Sequence, residues 1–269
     1  MAKKPSSSSN LQTAPFSKSF PDDGVYSYSQ FEELKKLFQR VLDERSVMLL
    51  TGEAGVGKTT ATRAFTDQLP TNKFQIVYVG QDQDGINLSR RLAAALGIPP
   101  QRSKANTWLL ISQHLSDNHR EQGKEIVLVV DEAHLLENST LQEIRLLTNT
   151  DFDRASPLTL IMIGQLALRT RLKMAGQEAL NQRLRFRYAL EGLTEEETGD
   201  YIKHRLNIAG ANEEVFSDDA IRSIFLASQG IPREINNLCT SAIMQAETLE
   251  VQTIDGKLIR QVVDQREAN

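Results

Sequence analysis

Four short apolar runs lie in the N-terminal part of the chain, separated by longer and more polar segments. They are VMLL at 47–50, IVYV at 76–79, IVLVV at 126–130 and LTLIMI at 158–163. All four are continuous rather than alternating and rich in β-branched residues, which predicts strands that are buried on both faces. Because helix-like segments separate the strands, we expect a parallel sheet covered by helices.

Two of the intervening segments carry helix-start patterns. Apolar residues recur at helical spacing in segments 31–42 and 141–147. Capping-box pairs stand at or near the start of each segment, Ser29–Glu32 in the first and Ser139–Gln142 in the second. We therefore predict helices that start at these two serines.

From about Gly192 the pattern is helical throughout. The segments LTEEETGDYIKHRL, with a capping box at Thr194–Glu197, SDDAIRSIFLAS and PREINNLCTSAIMQAE all have helical character. The first two dozen residues are rich in Ser, Pro and Lys and have little apolar surface to offset the entropy of ordering. We predict a mobile tail at 1–24, an α/β domain at 25–191 and a helical domain at 192–269.

The overall composition is that of an ordinary globular protein of 269 residues. A net charge of −4 argues against a protein that coats nucleic acid through bulk positive charge, so any DNA contact must be local. The single cysteine, Cys239, excludes an internal disulfide and suits a reducing compartment. The sequence shows neither a membrane span nor a signal-peptide core, so we expect a cytoplasmic protein without a membrane partner.

The stretch GEAGVGKT fits the phosphate-loop pattern and lies where that pattern needs to be, between the strand VMLL and a helical segment. Its glycines let backbone N–H groups turn toward phosphate oxygens. Lys58 supplies charge to the β and γ phosphates of ATP, and the Thr59 hydroxyl is a ligand for Mg²⁺. The predicted nucleotide-binding residues are Gly52, Glu53, Ala54, Gly55, Val56, Gly57, Lys58, Thr59 and Thr60.

Two adjacent carboxylates, Asp131 and Glu132, follow the most apolar strand and so lie at the carboxyl edge of the predicted sheet. Beside a phosphate loop, Asp131 is expected to hold Mg²⁺ and Glu132 to orient the water that attacks the γ phosphate. The alternative is a solvated strand end followed by a helix cap. We assign no catalytic role to His134.

The letters DEAH at 131–134 also spell the name of a helicase class. Helicases of that class typically have two tandem nucleotide-binding domains and a Ser-Ala-Thr motif after the DEAH. This chain turns helical after the DEAH and shows no such motif. Nucleic-acid unwinding is therefore the weakest of the functional hypotheses.

Five motifs follow one another between Gly52 and Cys239, within a region of resemblance that runs from about Tyr26 to Ala246. They are GEAGVGKTT, VLVVDEAHLL, LQEIRLLTN, IMIGQ with LNQRLRFRYALEGLTEEETGDYIKHRL, and FSDDAIRSIFLASQGIPREINNLC. The ordered set resembles the AAA+ ATPases, and more narrowly their ExeA-type branch, which includes transposon-encoded TnsC-, TniB- and MuB-like regulators. The resemblance implies a parallel-sheet P-loop AAA+ α/β domain with a small C-terminal helical lid.

The same resemblance implies further roles in ATP hydrolysis. Gln165 looks like the polar residue that senses the γ phosphate, and Arg233 in GIPREINN looks like a second sensor that reaches from the lid to the nucleotide. Arg183 in LNQRLRF resembles the arginine finger that acts on a neighbouring subunit, with Arg185 in reserve. The alternative for these arginines is an exposed strand along which they alternate with apolar residues. Tyr26 or Tyr28 would lie near the adenine.

Two functions remain open. The first is an ATP-dependent, DNA-binding regulator of transposition that forms a ring or helical filament with itself, binds duplex DNA and recruits a transposase, with or without a target-selection protein. The second is a secretion-apparatus ATPase that acts through a separate membrane partner. Secretion members of the branch continue into a membrane span, whereas this chain ends at Asn269, so we favour transposition with slow, regulatory ATP hydrolysis. The expected DNA contacts are Arg90, Arg91, Arg102 and Lys104, although ordinary solvated charge is the default for such residues.

Overall fold

The structure is a computed structural model. It describes residues 14–17, 25–80, 88–99, 101–121, 123–148, 156–211 and 215–268. The chain divides into two compact units. One comprises Ser29–Gly52 and Lys58–Leu190 and contains the sheet, and we call it the sheet unit. The other, which we call the helical unit, contains Glu53–Gly57, the described residues before Ser29 and the chain from Glu191 onward.

The sheet unit is built on five parallel strands in the order β2-β3-β4-β1-β5. Their bounds are β1 Val47–Gly52, β2 Phe74–Val79, β3 Glu125–Val130, β4 Leu158–Gly164 and β5 Leu184–Leu190. The four strands and the parallel sheet predicted from the apolar runs are confirmed. β5 contains the segment LRFRYAL, in which arginines alternate with apolar residues.

One edge of the sheet corrects a prediction about burial. β2 pairs only with β3 and is the first strand in the sheet order, so one of its sides faces away from the ladder. Its burial alternates, with Ile76 37% and Tyr78 52% exposed. The predicted burial on both faces is therefore wrong for β2, although it holds for β1 and β4, every residue of which is buried.

Seven helices belong to the described part of the sheet unit. They are α1 Ser29–Asp43, α2 Lys58–Thr66, α3 Leu88–Ala95, α4 Lys104–Arg120, α5 Asn138–Leu147, α6 Ala167–Leu172 and α7 Glu178–Arg183. The predicted cap of α5 is wrong, because the N-cap is Glu137, two residues before Ser139, and the helix begins at Asn138. Ser139 lies inside the first turn and donates a hydrogen bond to the Glu137 carboxylate at 3.2 Å.

Helices α8 Glu195–Ile208, α9 Asp218–Ser228, α10 Pro232–Thr248 and α11 Gly256–Glu267 form the helical unit. The predicted capping box of α8 is confirmed, since Thr194 accepts a hydrogen bond from the Glu197 N–H and the Glu197 carboxylate accepts one from the Thr194 N–H. Their apolar faces share a core with Cys239 at its centre, fully buried. Burial raises the pKa of this thiol, which makes it a packing group rather than a nucleophile.

A short segment, Ala14–Ser17, packs within the helical unit, where Phe16 belongs to the core. Phe16 is only 7% exposed and meets Phe216 edge to face, with ring centroids 6.3 Å apart. Arg205 in α8 holds the backbone on both sides of Phe16, donating to the Pro15 carbonyl at 2.7 Å and the Ser17 carbonyl at 2.9 Å. The sequence placed these residues in a mobile tail, and for these four the structure shows a packed segment instead.

Phe16→Ala is expected to lower the free energy of unfolding of the helical unit by about 3 kcal/mol, because it removes a buried aromatic ring and leaves a cavity. Chemical denaturation followed by circular dichroism measures the loss. Leu226→Ala is the matched control, since Leu226 lies on α9 with 67% of its surface exposed and should change little. Equal losses in the two variants would show that Phe16 does not contribute to this core.

Candidate functional site

The phosphate-loop motif connects β1 to α2. β1 ends at Gly52 and α2 begins at Lys58, so the five residues Glu53–Gly57 form the turn between them. The Lys58 side chain is buried, with the residue 7% exposed, and its ammonium donates to the Gly52 carbonyl at 2.9 Å. A lysine held over its own loop in this way is placed to exchange that carbonyl for a phosphate oxygen.

Two glycines give this loop its shape. Gly55 and Gly57 have φ angles of +86° and +102°, which residues with a side chain rarely adopt. Arg233, the second residue of α10, lies against Gly55, and its N–H donates to the Gly55 carbonyl at 3.3 Å. A Cβ on Gly55 would lie 2.6 Å from the Arg233 Cβ. The predicted lid arginine is thus in direct contact with the phosphate loop.

Gly55→Ala should destabilise the protein more than Gly57→Ala does. Both changes place a side chain at positive φ, at a cost of about 1–3 kcal/mol. Only Gly55→Ala also drives a methyl group into Arg233, because nothing lies within 4 Å of a Cβ built on Gly57. Denaturant titrations compare the two free energies of unfolding. Equal losses would mean that Arg233 does not pack on the loop.

Asp131 directly follows β3, and its N–H continues the ladder to β2 by donating to the Val79 carbonyl at 2.8 Å. Its carboxylate oxygen Oδ2 accepts hydrogen bonds from the Thr59 hydroxyl at 2.7 Å and from the Tyr78 hydroxyl at 2.6 Å. Its other oxygen, Oδ1, accepts from the Glu132 N–H at 2.8 Å. The structure therefore brings together Thr59 and Asp131, the two residues predicted to hold Mg²⁺.

These two groups fit a magnesium ion by their chemistry. A threonine hydroxyl and an aspartate carboxylate are the hard oxygen donors that Mg²⁺ prefers. Asp131 is 7% exposed, so its carboxylate lies at the base of the site rather than at the surface. Burial and the neighbouring Asp131 raise the pKa of Tyr78, which keeps its hydroxyl a proton donor at neutral pH.

Glu132 has an unusual backbone, with φ 53° and ψ 33° in the left-handed region. For a residue with a side chain this conformation costs about 1–3 kcal/mol, and such strain clusters at functional sites. The turn directs the Glu132 carboxylate to His134, whose Nδ1 lies 3.4 Å from Oε2. The same Nδ1 lies 3.5 Å from the N–H of Gln165, the residue that follows β4. His134 thus stands between the predicted water-orienting residue and the predicted sensor.

The two contacts of His134 need different protonation states of Nδ1. A nitrogen that accepts from the Gln165 N–H carries no proton, whereas a favourable contact with the Glu132 carboxylate requires one. Sequence analysis left His134 without a role, and the structure places it inside the site. The chain segment after it is fixed by Arg171, which donates to the His134 carbonyl at 3.0 Å and to the carbonyl of Leu136.

The three arginines of the segment LNQRLRFR all have partners within the chain. Arg183, the last residue of α7, donates to the Thr148 carbonyl at 3.0 Å and so satisfies a backbone group at the end of α5. Arg185 forms an exposed ion pair with Glu44 at 2.8 Å. Arg187 donates to the Asn181 carbonyl at 2.7 Å. Only Arg185 and Arg187 belong to β5, and the role of Arg183 between subunits stays a prediction.

The four residues predicted to contact DNA occupy α3, the segment after it and the start of α4. Arg90 and Arg102 are exposed. Arg91 is half-buried and donates to the Gly80 carbonyl, while Lys104 pairs with Glu143 at 3.0 Å. Two of the four charges therefore have intramolecular partners that DNA would have to replace.

Tyr26 and Tyr28, the aromatic residues predicted near the adenine, stack on each other with ring centroids 6.0 Å apart. Tyr26 also meets Tyr201 of α8 edge to face at 5.9 Å and lies beside His204. Both tyrosines pack against the core of the helical unit, and contact with adenine remains a prediction.

Comparison with known families gives the site its context. Residues 39–172, which include Lys58, Thr59, Asp131 and Glu132, match the AAA domain family. The chain carries an AAA-family ATPase domain. The predicted fold is confirmed, since the parallel sheet with flanking helices is that of AAA+ proteins.

One relative and two solved structures are similar to this chain over most of the chain's own length. General secretion pathway protein A of Aeromonas hydrophila is 35% identical over 246 residues, which are 88% of this chain and 44% of the relative. The Aeropyrum pernix ORC2 protein, solved in ADPNP–ADP complexes, has a TM-score of 0.66 at 16% identity over 94% of this chain and 71% of that one. The Aeropyrum pernix ORC1 protein in complex with DNA has a TM-score of 0.68 at 18% identity over 92% and 68%.

These comparisons bear on fold and function differently. The two structures share the AAA+ fold with this chain, and at such low identity the likeness extends to the fold alone. The chain spans less than half the length of its secretion-pathway relative. No helix within the described residues is long and apolar enough to cross a membrane.

Proposed function

We propose that this protein is a Mg²⁺-dependent ATPase that hydrolyses ATP slowly and works as a nucleotide-controlled switch. The observation that carries the proposal is the 2.7 Å hydrogen bond between the Thr59 hydroxyl and the Asp131 carboxylate. Thr59 follows Lys58 at the start of α2, directly after the phosphate loop. The hydrogen bond joins the two magnesium-binding residues of the motif in one place. Thr59 and Asp131 would hold Mg²⁺, which would supply positive charge to stabilise the phosphates during hydrolysis.

The residues of the chain then have distinct tasks in hydrolysis. Lys58 binds the β and γ phosphates, and the backbone of Glu53–Gly57 turns around them. Glu132 orients the attacking water and accepts its proton, with His134 setting the direction of its carboxylate. Gln165 senses the γ phosphate from the end of β4, and Arg233 couples the loop to α10.

We further propose that the ATP-bound protein assembles on duplex DNA and regulates transposition by recruiting a transposase. The resemblance of the ordered motifs to TnsC-, TniB- and MuB-like regulators supports this role. The ORC1 protein of Aeropyrum pernix, which shares the fold, was solved in complex with DNA. Arg90 and Arg102 are exposed and would contact DNA phosphates, which carry no sequence information.

A second function is favoured by a specific observation, the 35% identity to General secretion pathway protein A. In that case the same ATPase acts in a secretion pathway, through a partner at the membrane. Co-sedimentation separates the two proposals. A transposition regulator binds duplex DNA only with Mg²⁺ and a slowly hydrolysed ATP analogue, whereas binding to vesicles from the host membrane without any binding to DNA would favour secretion.

The proposed DNA surface is tested by Arg102→Ala combined with Lys104→Ala. Fewer phosphate contacts should weaken DNA binding and reduce the slope of log affinity against log salt by about 1–2. Lys203→Ala combined with Arg222→Ala is the control, since it removes the same charge from exposed positions on α8 and α9. If both double variants keep the wild-type affinity and slope, DNA binds elsewhere.

The proposed finger is tested by mixing two inactive proteins, Arg183→Ala and Lys58→Ala. The first keeps an intact phosphate loop, and the second can lend it the missing arginine from a neighbouring subunit. We expect the mixture to regain ATPase activity that neither protein has alone. Failure to recover, with both proteins folded by circular dichroism, would contradict the role of Arg183 between subunits and favour a structural role that includes its bond to Thr148.

A further inference from the structure

The phenol of Tyr78 reaches the magnesium-binding carboxylate from an edge strand. Tyr78 is the next-to-last residue of β2 and lies opposite Val129 of β3 in the register, two residues before Asp131. Its hydroxyl donates to Asp131 Oδ2 at 2.6 Å. Half of the residue is exposed, at 52%, so burial of the ring alone does not explain why a tyrosine occupies this position.

Gly80 makes this reach possible. Residues two apart on a strand point to the same face, so a side chain at position 80 would stand in front of Tyr78. A Cβ built on Gly80 would lie 2.9 Å from Tyr78 Cε1 and 3.2 Å from its hydroxyl oxygen. The backbone of Gly80 is held in turn by Arg91, which donates to its carbonyl. The ring thus lies over a glycine that is fixed in place.

Asp131 Oδ2 has two side-chain donors, Thr59 and Tyr78. Thr59 is itself expected to bind Mg²⁺ through its hydroxyl oxygen, so the position of this donor depends on the ion. Tyr78 has no metal to bind in this scheme and can keep its bond. Tyr78 is therefore a donor to the carboxylate whose position does not depend on the ion.

We propose that Tyr78 is a positioning residue for magnesium, which orients Asp131 and so sets the affinity of the nucleotide complex for the divalent ion. This inference rests on the proposed function, because it assumes that the site binds nucleotide with Mg²⁺. Groups that orient a metal ligand commonly change metal affinity by about 10- to 100-fold when removed. Since Asp131 keeps its bond from the Glu132 N–H, the effect should lie near the lower end.

The test is a titration of Mn²⁺, a paramagnetic substitute for Mg²⁺, into protein saturated with a non-hydrolysable ATP analogue. Electron paramagnetic resonance measures the free ion. Tyr78→Phe, which removes only the hydroxyl, is expected to weaken Mn²⁺ binding about tenfold. Gly80→Ala should have a similar effect, because it displaces the ring while leaving the tyrosine in the chain. Affinity for the analogue in EDTA should stay at the wild-type value in both.

Tyr188→Phe is the matched control, because that hydroxyl bonds to the Gln30 carbonyl and to Glu33, away from Asp131. It should leave Mn²⁺ affinity unchanged. In an Asp131→Asn background, Tyr78→Phe should add nothing further, since its effect passes through the carboxylate. The proposal is overturned if Tyr78→Phe keeps wild-type Mn²⁺ affinity, or if it weakens analogue binding in EDTA as strongly as Mn²⁺ binding. If the wild-type protein does not bind the analogue at all, the proposed ATPase function is wrong instead.

Discussion

Replacement of Glu132 by Gln is expected to leave ATP bound and to lower its hydrolysis by about two orders of magnitude or more. Glutamine has nearly the shape of glutamate, so the left-handed turn at this residue can persist. What it lacks is the negative charge that orients water and takes up its proton. Steady-state phosphate release measures the loss, and retention of a fluorescent ATP analogue shows that the site still fills.

The same variant should accumulate the ATP-bound assembly. If assembly follows ATP binding and disassembly follows hydrolysis, sedimentation velocity will show a larger and longer-lived oligomer for Glu132→Gln than for wild type. Glu137→Gln, which changes a carboxylate at the N-cap of α5, is the control and should hydrolyse ATP normally. Wild-type turnover in Glu132→Gln would exclude its role in handling water.

The second large effect is expected on ATP affinity when Lys58 is replaced. Lys58→Ala should weaken ATP binding by about a hundredfold, because a buried, charge-assisted contact to phosphate is lost. We expect the variant to stay folded by circular dichroism, since the contact of the ammonium with the Gly52 carbonyl is local to the phosphate loop. Isothermal titration calorimetry with ATP and Mg²⁺ measures the change.

Lys36→Ala supplies the comparison for that measurement. Lys36 is exposed on α1 in the same unit, so the variant has the same change of charge without the contact to the loop. It should bind ATP as the wild type does. ATP affinity in Lys58→Ala equal to that of Lys36→Ala would contradict the phosphate-loop assignment.

Much of the sheet could be predicted from the sequence because its central strands are buried on both sides. Such strands require continuous β-branched runs, and VMLL and LTLIMI show them plainly. The position of a strand within the sheet is not encoded in its own residues. IVYV looked like a central strand, and only the order of the strands shows that it lies at an edge, where Tyr78 is free to turn toward Asp131.

The chemical motifs could be recognised in the sequence because each is a short run of residues. The residues that contact those motifs in the folded structure could not be recognised in this way. Thr59 and Asp131 belong to patterns of fixed spacing, and the structure places their side chains in contact. The roles of Tyr78, His134 and Arg171 depend on contacts with residues that lie 31 to 53 positions away in the sequence, so no local pattern indicates them. One signal was present for Tyr78, since a tyrosine followed two residues later by glycine closes the strand next to the carboxylates.

The packing of Phe16 was hidden by its surroundings. Serine, proline and lysine dominate the first two dozen residues, and average composition there argues for disorder. An average over two dozen residues does not indicate the packing of one aromatic residue such as Phe16. Its partners, Arg205 and Phe216, lie about two hundred residues further along the chain, so no local pattern could link them.

The bonds from Arg205 to the carbonyls of Pro15 and Ser17 join segments of the helical unit that lie about 190 residues apart in the chain. Phe216 is synthesised about two hundred residues after Phe16, so Phe16 can be buried against it only when most of this sequence has been made. A variant of this protein that begins at Val25 would keep every ATPase motif. It would nevertheless expose apolar surface beside Phe216, and the Arg205 guanidinium would bond to water in place of the Pro15 and Ser17 carbonyls.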